Sequence, residues 1–307
     1  MPQGPVAYDK ALDILRGGGL VALPTETVYG LAADASNDAA VAKVYALKGR
    51  PSHNPLIAHV LRPDWALGLA HVNGLARELM TAFWPGPLTL VLPRKESELS
   101  QTAGGWLPSI ALRCPDVDWA ESFVGAGWDA PLFMPSANLS GRISPTRAAH
   151  VAADFGDKVD LIIDGGSCRG GVESTVLEIH DGHAVLLRPG TIAASSFAPF
   201  ITDLRLPKKS NAISAPGMLA SHYAPRAKVR LGALTAHAGE AHMGFGEIAG
   251  ELNLSSSGDT IEAARNLYHY MRRLDRKTVS AIAVAPIPND GLGEAINDRL
   301  RRAAAER

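Results

Sequence analysis

The chain has 307 residues, a formal net charge of −1, 46% apolar residues and 20% charged residues, a length that fits two domains and a balance that excludes a disordered or membrane-embedded chain. No apolar run approaches the ~20 residues of a membrane helix, and near-neutral charge means that any RNA contact would need a local basic patch. Cys114 and Cys168 lie far apart and outside CxxC spacing, so both read as free thiols, and the Met1 to Pro5 start lacks the plan of a secretory signal, so the expected compartment is the cytoplasm.

Strand-like runs at Gly19 to Leu23, Pro55 to Val60, Leu88 to Leu92, Ile110 to Arg113, Leu161 to Asp164, Thr175 to Ile179 and Val185 to Leu187 alternate with helical stretches, an α/β or α+β pattern. Asn37 is placed to cap a helix running to about Leu47, with Ala40, Val41, Val44 and Leu47 on one face and Gly49 as its stop. Lys48 and Arg50 then fall at its C-terminal edge. From Thr191 to Pro225, Pro199, Pro207, Pro216 and Pro225 punctuate an extended linker. Its SAPGMLASHYAP segment carries more aromatic and polar groups than a spacer needs, and His222-Tyr223 suits a lid over the active site. Beyond it, Lys228 to Leu231 and Val279 to Ala285 read as strands, and Thr260 to Leu274 and Gly293 to Ala305 as amphipathic helices. The division is therefore 1–200, a linker at 201–226, and a small α/β domain at 227–307. Arg299, Arg301 and Arg302 read as a solvated helix face rather than an RNA patch.

Five stretches carry chemistry-bearing groups. Pro24 to Leu31 puts Thr25, Glu26, Thr27 and Tyr29 at a strand end, where α/β ligands bind, or else forms a bend whose hydroxyls serve the backbone. Lys48 to His59 clusters two cations beside Gly49 with Asn54 and His59 following, which suits a polyphosphate better than a solvated helix end. Strand alternation puts Ser109, Ala111 and Arg113 on one face, where Arg113 answers either an anion or a structural carboxylate. Ser136-Ala137-Asn138, continuing to Ser144 and Thr146, could form an anion-binding nest or only a cap or Asx-turn. Gly165 to Val176 is glycine-rich yet has neither GxGxxG nor GxxxxGK[ST] spacing, so Rossmann and P-loop nucleotide sites are excluded there; Arg188-Pro189-Gly190 offers another cation.

In this order PTETVYGL, KGRPxxNPLIAH, WPGPLTLVL, ALRCP, PSANLSGRISPT, GGVESTV and LLRPGT resemble the YrdC-like threonylcarbamoyl-AMP synthase family from about Leu20 to Thr191, and SAPGMLASHYAP with GLGEAINDRLRRAA resembles its long two-domain form. The resemblance implies an N-terminal twisted, open mixed sheet with helices around a large cavity and a smaller Rossmann-like C-terminal α/β domain. It implies a nucleotidyltransferase that converts L-threonine, bicarbonate and ATP to threonylcarbamoyl-AMP, diphosphate and water. Mg²⁺ would accompany the ATP, and other proteins would transfer the product to the tRNA adenosine beside the anticodon. Direct binding of tRNA or double-stranded RNA is a further expectation. The catalytic set falls on Lys48, Arg50, Ser136 and Asn138, the threonine pocket on Thr27, His59, Arg113, Ser136 and Ser174, and the nucleotide side on Arg50, Asn54, Ser109, Asn138, Thr146, Arg188 and Tyr223. Catalysis is then expected from orientation and electrostatics without a covalent nucleophile. Two rivals are a non-catalytic RNA-binding protein and a carbamoyl transferase of the hydrogenase-maturation type, whose zinc-finger modules two lone cysteines cannot supply.

Overall fold

A computed structural model describes residues 1–104, 107–207 and 221–306. Its first ten strands are β1 (Val21–Leu23), β2 (Gly30–Asp34), β3 (Ala58–His59), β4 (Leu88–Pro93), β5 (Ser109–Arg113), β6 (Leu132–Phe133), β7 (Leu161–Ile162), β8 (Thr175–His180), β9 (His183–Arg188) and β10 (Leu204–Arg205). They form one mixed sheet in the order β10-β9-β8-β4-β5-β3-β6-β2-β1-β7. All seven expected runs contain strands. β2 was not expected, because GLAAD is mostly small residues and shows neither alternation nor β-branched residues. β10 corrects the linker: it pairs in parallel with β9, so residues 204 and 205 extend the sheet. The expected lid from Ser214 lies partly outside the described residues, which resume at Ser221.

Helices α1 (Pro5–Arg16) and α5 (Trp119–Gly125) bury Leu12, Leu15, Trp119 and Phe123 against Val21, Leu23 and Leu132. α2 (Asp38–Lys48), α3 (Ala66–Leu69), α4 (Gly74–Phe83) and α6 (Ala148–Phe155) join a larger core that includes Val41, Leu79, Leu90, Leu112, Phe133 and Leu177. The α2 cap forms as expected: Asn37 accepts from the Ala40 N–H, and Gly49 ends the helix in the left-handed region. Alternation sends Val91, Ala111, Val176 and Val185 to the opposite side, where they cluster with Ile57 and Leu187 and with no helical residue. His59 and Arg113 lie two residues beyond Ile57 and Ala111, so they project from this same side.

Arg188 reaches that side through an irregularity. The β8–β9 register shifts between Val176 and Leu177, so Val176 pairs with Arg188 and Leu177 with Leu186. Leu187 is the extra residue of a bulge, and Arg188 faces the same way as Leu187 instead of alternating away. Bulges re-aim side chains in this manner beside active sites.

The C-terminal domain has β11 (Lys228–Arg230), β12 (Glu240–Gly244), β13 (Leu252–Asn253) and β14 (Ala281–Val284), all parallel in the order β11-β14-β12-β13, with α7 (Thr260–Leu274) and α8 (Gly293–Ala304). This is the open, helix-flanked parallel plan expected of it. Its core continues into the first domain through Val28, Ile143, Val172 and Tyr223. Gly171 makes the approach possible: at φ 73° any Cβ would stand 2.2 Å from the Ala264 carbonyl oxygen of α7.

Candidate active site

Thr27, Arg50, His59, Arg113, Ser136, Ser174, Arg188 and Tyr223 line one pocket, with Glu173 and His222 also in its wall. At the strand end that begins it the two threonines differ. Thr25 Oγ1 serves the backbone, accepting from the Thr27 and Val28 amides and donating to the Val28 carbonyl at 2.7 Å, while Thr27 reaches the pocket. A Cβ at Gly30 would fall 2.3 Å from Met134 Cγ, so any larger residue there would force the Met134 side chain to move.

Two of the pocket's cations, Arg50 and Arg188, donate to neutral oxygens. Arg50 donates from Nε and Nη2 to the Asn54 carbonyl and side-chain oxygens at 3.1 and 2.6 Å and to the Pro55 carbonyl at 2.8 Å. Burial, with Arg188 adding to it, lowers its pKa to about 10, so it stays a cation at neutral pH. Arg188 donates from Nε to the Ser174 carbonyl at 3.1 Å and from Nη2 to Ser174 Oγ at 3.0 Å, and Ser174 Oγ lies 2.7 Å from Thr89 Oγ1. Arg113 answers a carboxylate within the protein: its Nη2 lies 2.6 Å from Glu26 Oε1, both side chains being buried. A second and larger cavity, lined by Thr25, Glu26, Asp116 and Arg169 among others, gathers none of the KGR or SAN groups.

His59 is neutral. Burial and then the neighbouring Arg113 push its pKa well below the ordinary histidine value. Its Nδ1 lies 3.2 Å from the Ile57 carbonyl, which assigns the proton to Nδ1 and leaves a lone pair on Nε2. His222 is also neutral, burial lowering its pKa to about 3.

Lys48 and Asn138 stand behind the wall rather than in it. Lys48 is 3% exposed, and its Nζ donates to the Ser136 and Asn138 carbonyls at 2.5 and 2.6 Å. Burial, then Arg50, lowers its pKa well below that of a free lysine. The ammonium thus fastens the loop that the Ala137 N–H joins to the Tyr29 carbonyl at 2.8 Å. Asn138 Nδ2 donates to the Leu139 and Arg142 carbonyls at 2.7 and 3.0 Å. Asn54 acts through Arg50. Thr146 is buried with no partner for Oγ1 among the described residues, and its amide donates to His150 Nδ1 at 3.1 Å. Ser109 starts β5, four residues before Arg113, and does not line the pocket. Ser144 donates to Glu173 Oε1 at 2.5 Å. Among the described residues no group of three His, Cys, Asp or Glu could hold a metal.

Residues 13–190 match the family described as "Telomere recombination" (Sua5_yciO_yrdC), and residues 191–305 match the threonylcarbamoyl-AMP synthase C-terminal domain. The threonylcarbamoyl-AMP synthase of Pyrococcus abyssi is 39% identical over 97% of this chain and 94% of its own, and that of Bacillus subtilis 38% identical over 97% and 93%. This chain belongs to the threonylcarbamoyl-AMP synthase family. The crystal structure of P. abyssi Sua5 complexed with L-threonine superposes with a TM-score of 0.90 at 36% identity, covering 99% of this chain and 96% of that one. HypF, crystallised with phosphate and nucleotide, shares the fold of 61% of this chain at 17% identity and a TM-score of 0.54.

For this family member, the sequence reading missed the groups that join the domains to the pocket. Glu173 is 6% exposed and takes hydrogen bonds from Ser144, Tyr268 and Arg299. Burial alone would raise its pKa, but Arg299, Arg188 and the Ser144 hydroxyl outweigh it and hold the carboxyl at about 2. Arg299, expected on a solvated face, is 0% exposed. The signal was available: Arg299 lies in the stripe of Ala295, Ile296, Leu300 and Ala303, and a charge inside an apolar stripe implies a buried partner.

Proposed function

We propose that this chain makes threonylcarbamoyl-AMP from L-threonine, bicarbonate and ATP, releasing diphosphate and water. One observation carries the reading: three buried arginines, a neutral histidine and hydroxyls from distant segments converge on a single pocket. Arg113 takes the threonine carboxylate, with Glu26 behind it fixing the guanidinium, and Thr27, His59 and Ser174 face the remaining polar groups. The neutral threonine amine takes the carbon of bicarbonate, giving the carbamate and water. A carbamate oxygen then attacks the α-phosphorus of ATP and diphosphate leaves. His59 Nε2, a lone-pair acceptor, orients the amine. Arg50 and Arg188 offset charge on the phosphates, while Lys48 fixes the Ser136 loop, so the rate gain comes from orientation and electrostatics.

Mg²⁺ would enter on the ATP, neutralising phosphate charge. A wall of cations and hydroxyls fits a metal carried by phosphates and water rather than one held by protein carboxylates. Handing the product to other proteins for attachment to tRNA adenosine in the cytoplasm belongs to the same proposal. A purely RNA-binding role is disfavoured because Arg50, Arg113, Arg188 and Arg299 are all buried and form no surface patch. The test is diphosphate release with each substrate omitted in turn. Release should require threonine and bicarbonate together and fall at least about 100-fold in Arg50→Ala. Release independent of both, or unchanged in Arg50→Ala, would sink the reading.

A further inference from the structure

Arg299 is buried in the middle of α8, yet two of the residues it touches, Glu173 and Tyr223, belong to the pocket wall. Its Nε donates to Glu173 Oε2 at 2.7 Å, and its Nη1 donates to the Pro189 carbonyl at 2.9 Å and to Asp298 at 2.7 Å. Its Nη2 has no hydrogen-bond acceptor among the described residues, and the guanidinium carbon lies 5.0 Å from the centre of the Tyr223 ring. That ring stacks on Tyr268 at 5.9 Å and 26°, and the Tyr268 hydroxyl donates to Glu173 Oε2 at 2.9 Å. Among the described residues, Tyr223 is the only non-glycine with positive φ, at 61°. Such a backbone is strained for a residue with a Cβ and persists only where its surroundings enforce it. The neighbouring His222 amide donates to the Arg302 carbonyl, so α8 grips the His222-Tyr223 segment at two points.

We propose that Arg299 is a positioning residue for the reaction, through which the C-terminal domain holds Tyr223 in the pocket wall on the nucleotide side. This rests on the activity proposed above. Arginine suits the place because its planar cation can bind Glu173 through one edge while its face covers the tyrosine ring, which a lysine cannot do. Without that cover the tyrosine leaves its strained conformation more often, and the apparent ATP affinity falls by the fraction of chains with a competent pocket.

The experiment is a double-mutant cycle on the full chain, reading KM for ATP and kcat in wild type, Arg299→Lys, Tyr223→Ala and the double variant. Arg299→Lys keeps a cation for Glu173, and its KM for ATP should rise about ten-fold, the equivalent of about 1.4 kcal/mol. On the Tyr223→Ala background the same substitution should add nothing, because its effect runs through the ring. Additive effects, or an unchanged KM in Arg299→Lys, overturn the proposal. If the lysine variant does not fold, Tyr268→Phe replaces it; removing only the hydroxyl that braces Glu173 should raise KM about three-fold and again add nothing to Tyr223→Ala. ATP titration calorimetry on the same four proteins separates the two claims. A wild type that binds ATP but makes no threonylcarbamoyl-AMP fails the reaction assignment, whereas additive affinities fail the relay.

Discussion

Glu173→Gln replaces the carboxylate that lies between the domains with a neutral group of the same shape. The folded carboxyl titrates at about 2 against an ordinary value of 4.5. That difference corresponds to about 3 kcal/mol of stability from ionisation alone. Because the folded pKa is depressed, this stability is fully present above about pH 5 and disappears as pH falls through 4.5 toward 2. The loss of Arg299's carboxylate partner is already part of this difference, because, against the burial that raises the pKa, the Arg299 charge is the largest cause of its depression. Urea unfolding of both proteins at intervals between neutrality and about pH 3 isolates the term, since the other carboxylates are common to both chains. The gap between wild type and variant should be widest at neutral pH and narrow steadily below about pH 5. A gap that is small at neutrality, or that does not change with pH, would refute the reasoning that Arg299 and Arg188 keep this carboxylate ionised.

Three further outcomes follow from single contacts. Lys48→Met removes two charge-assisted hydrogen bonds to the Ser136 and Asn138 carbonyls and should cost about 3 kcal/mol of stability while lowering kcat about 100-fold, measured by urea unfolding and diphosphate release; wild-type values for both would show that the loop does not depend on the ammonium. Glu26→Gln leaves Arg113 without its carboxylate partner and held only through the Gly86 carbonyl, and KM for threonine should rise about ten-fold with KM for ATP within two-fold; equal changes in both would place Glu26 elsewhere in the reaction. Asn37→Ala deletes the α2 cap and should destabilise the chain by about 1 kcal/mol without changing either KM.

What the sequence made legible was whatever depends on short-range pattern. The Asn37 cap, the Gly49 stop and the two faces of β5 could be read because each is decided within a few residues. The ordered motifs brought Thr27, Arg50, His59, Arg113, Ser136, Ser174, Arg188 and Tyr223 to one pocket. Three things escaped. The β8–β9 bulge is a register event between two strands, and no single-strand pattern shows that Arg188 shares a face with Leu187. Lys48 read as a cation for phosphate at a helix end, yet the fold brings two carbonyls from residues far along the chain to its ammonium. The Glu173, Tyr268 and Arg299 circle joins residues about a hundred positions apart, so only the charge in the α8 stripe betrayed it.

Labelled bicarbonate tests most directly whether this pocket joins carboxylation of the threonine amine to adenylation. Purified chain given L-threonine, ATP, Mg²⁺ and ¹³C-labelled bicarbonate should yield, by mass spectrometry, threonylcarbamoyl-AMP carrying the label, with diphosphate formed in equal amount. Formation of AMP or ADP without any labelled threonine adduct would contradict it.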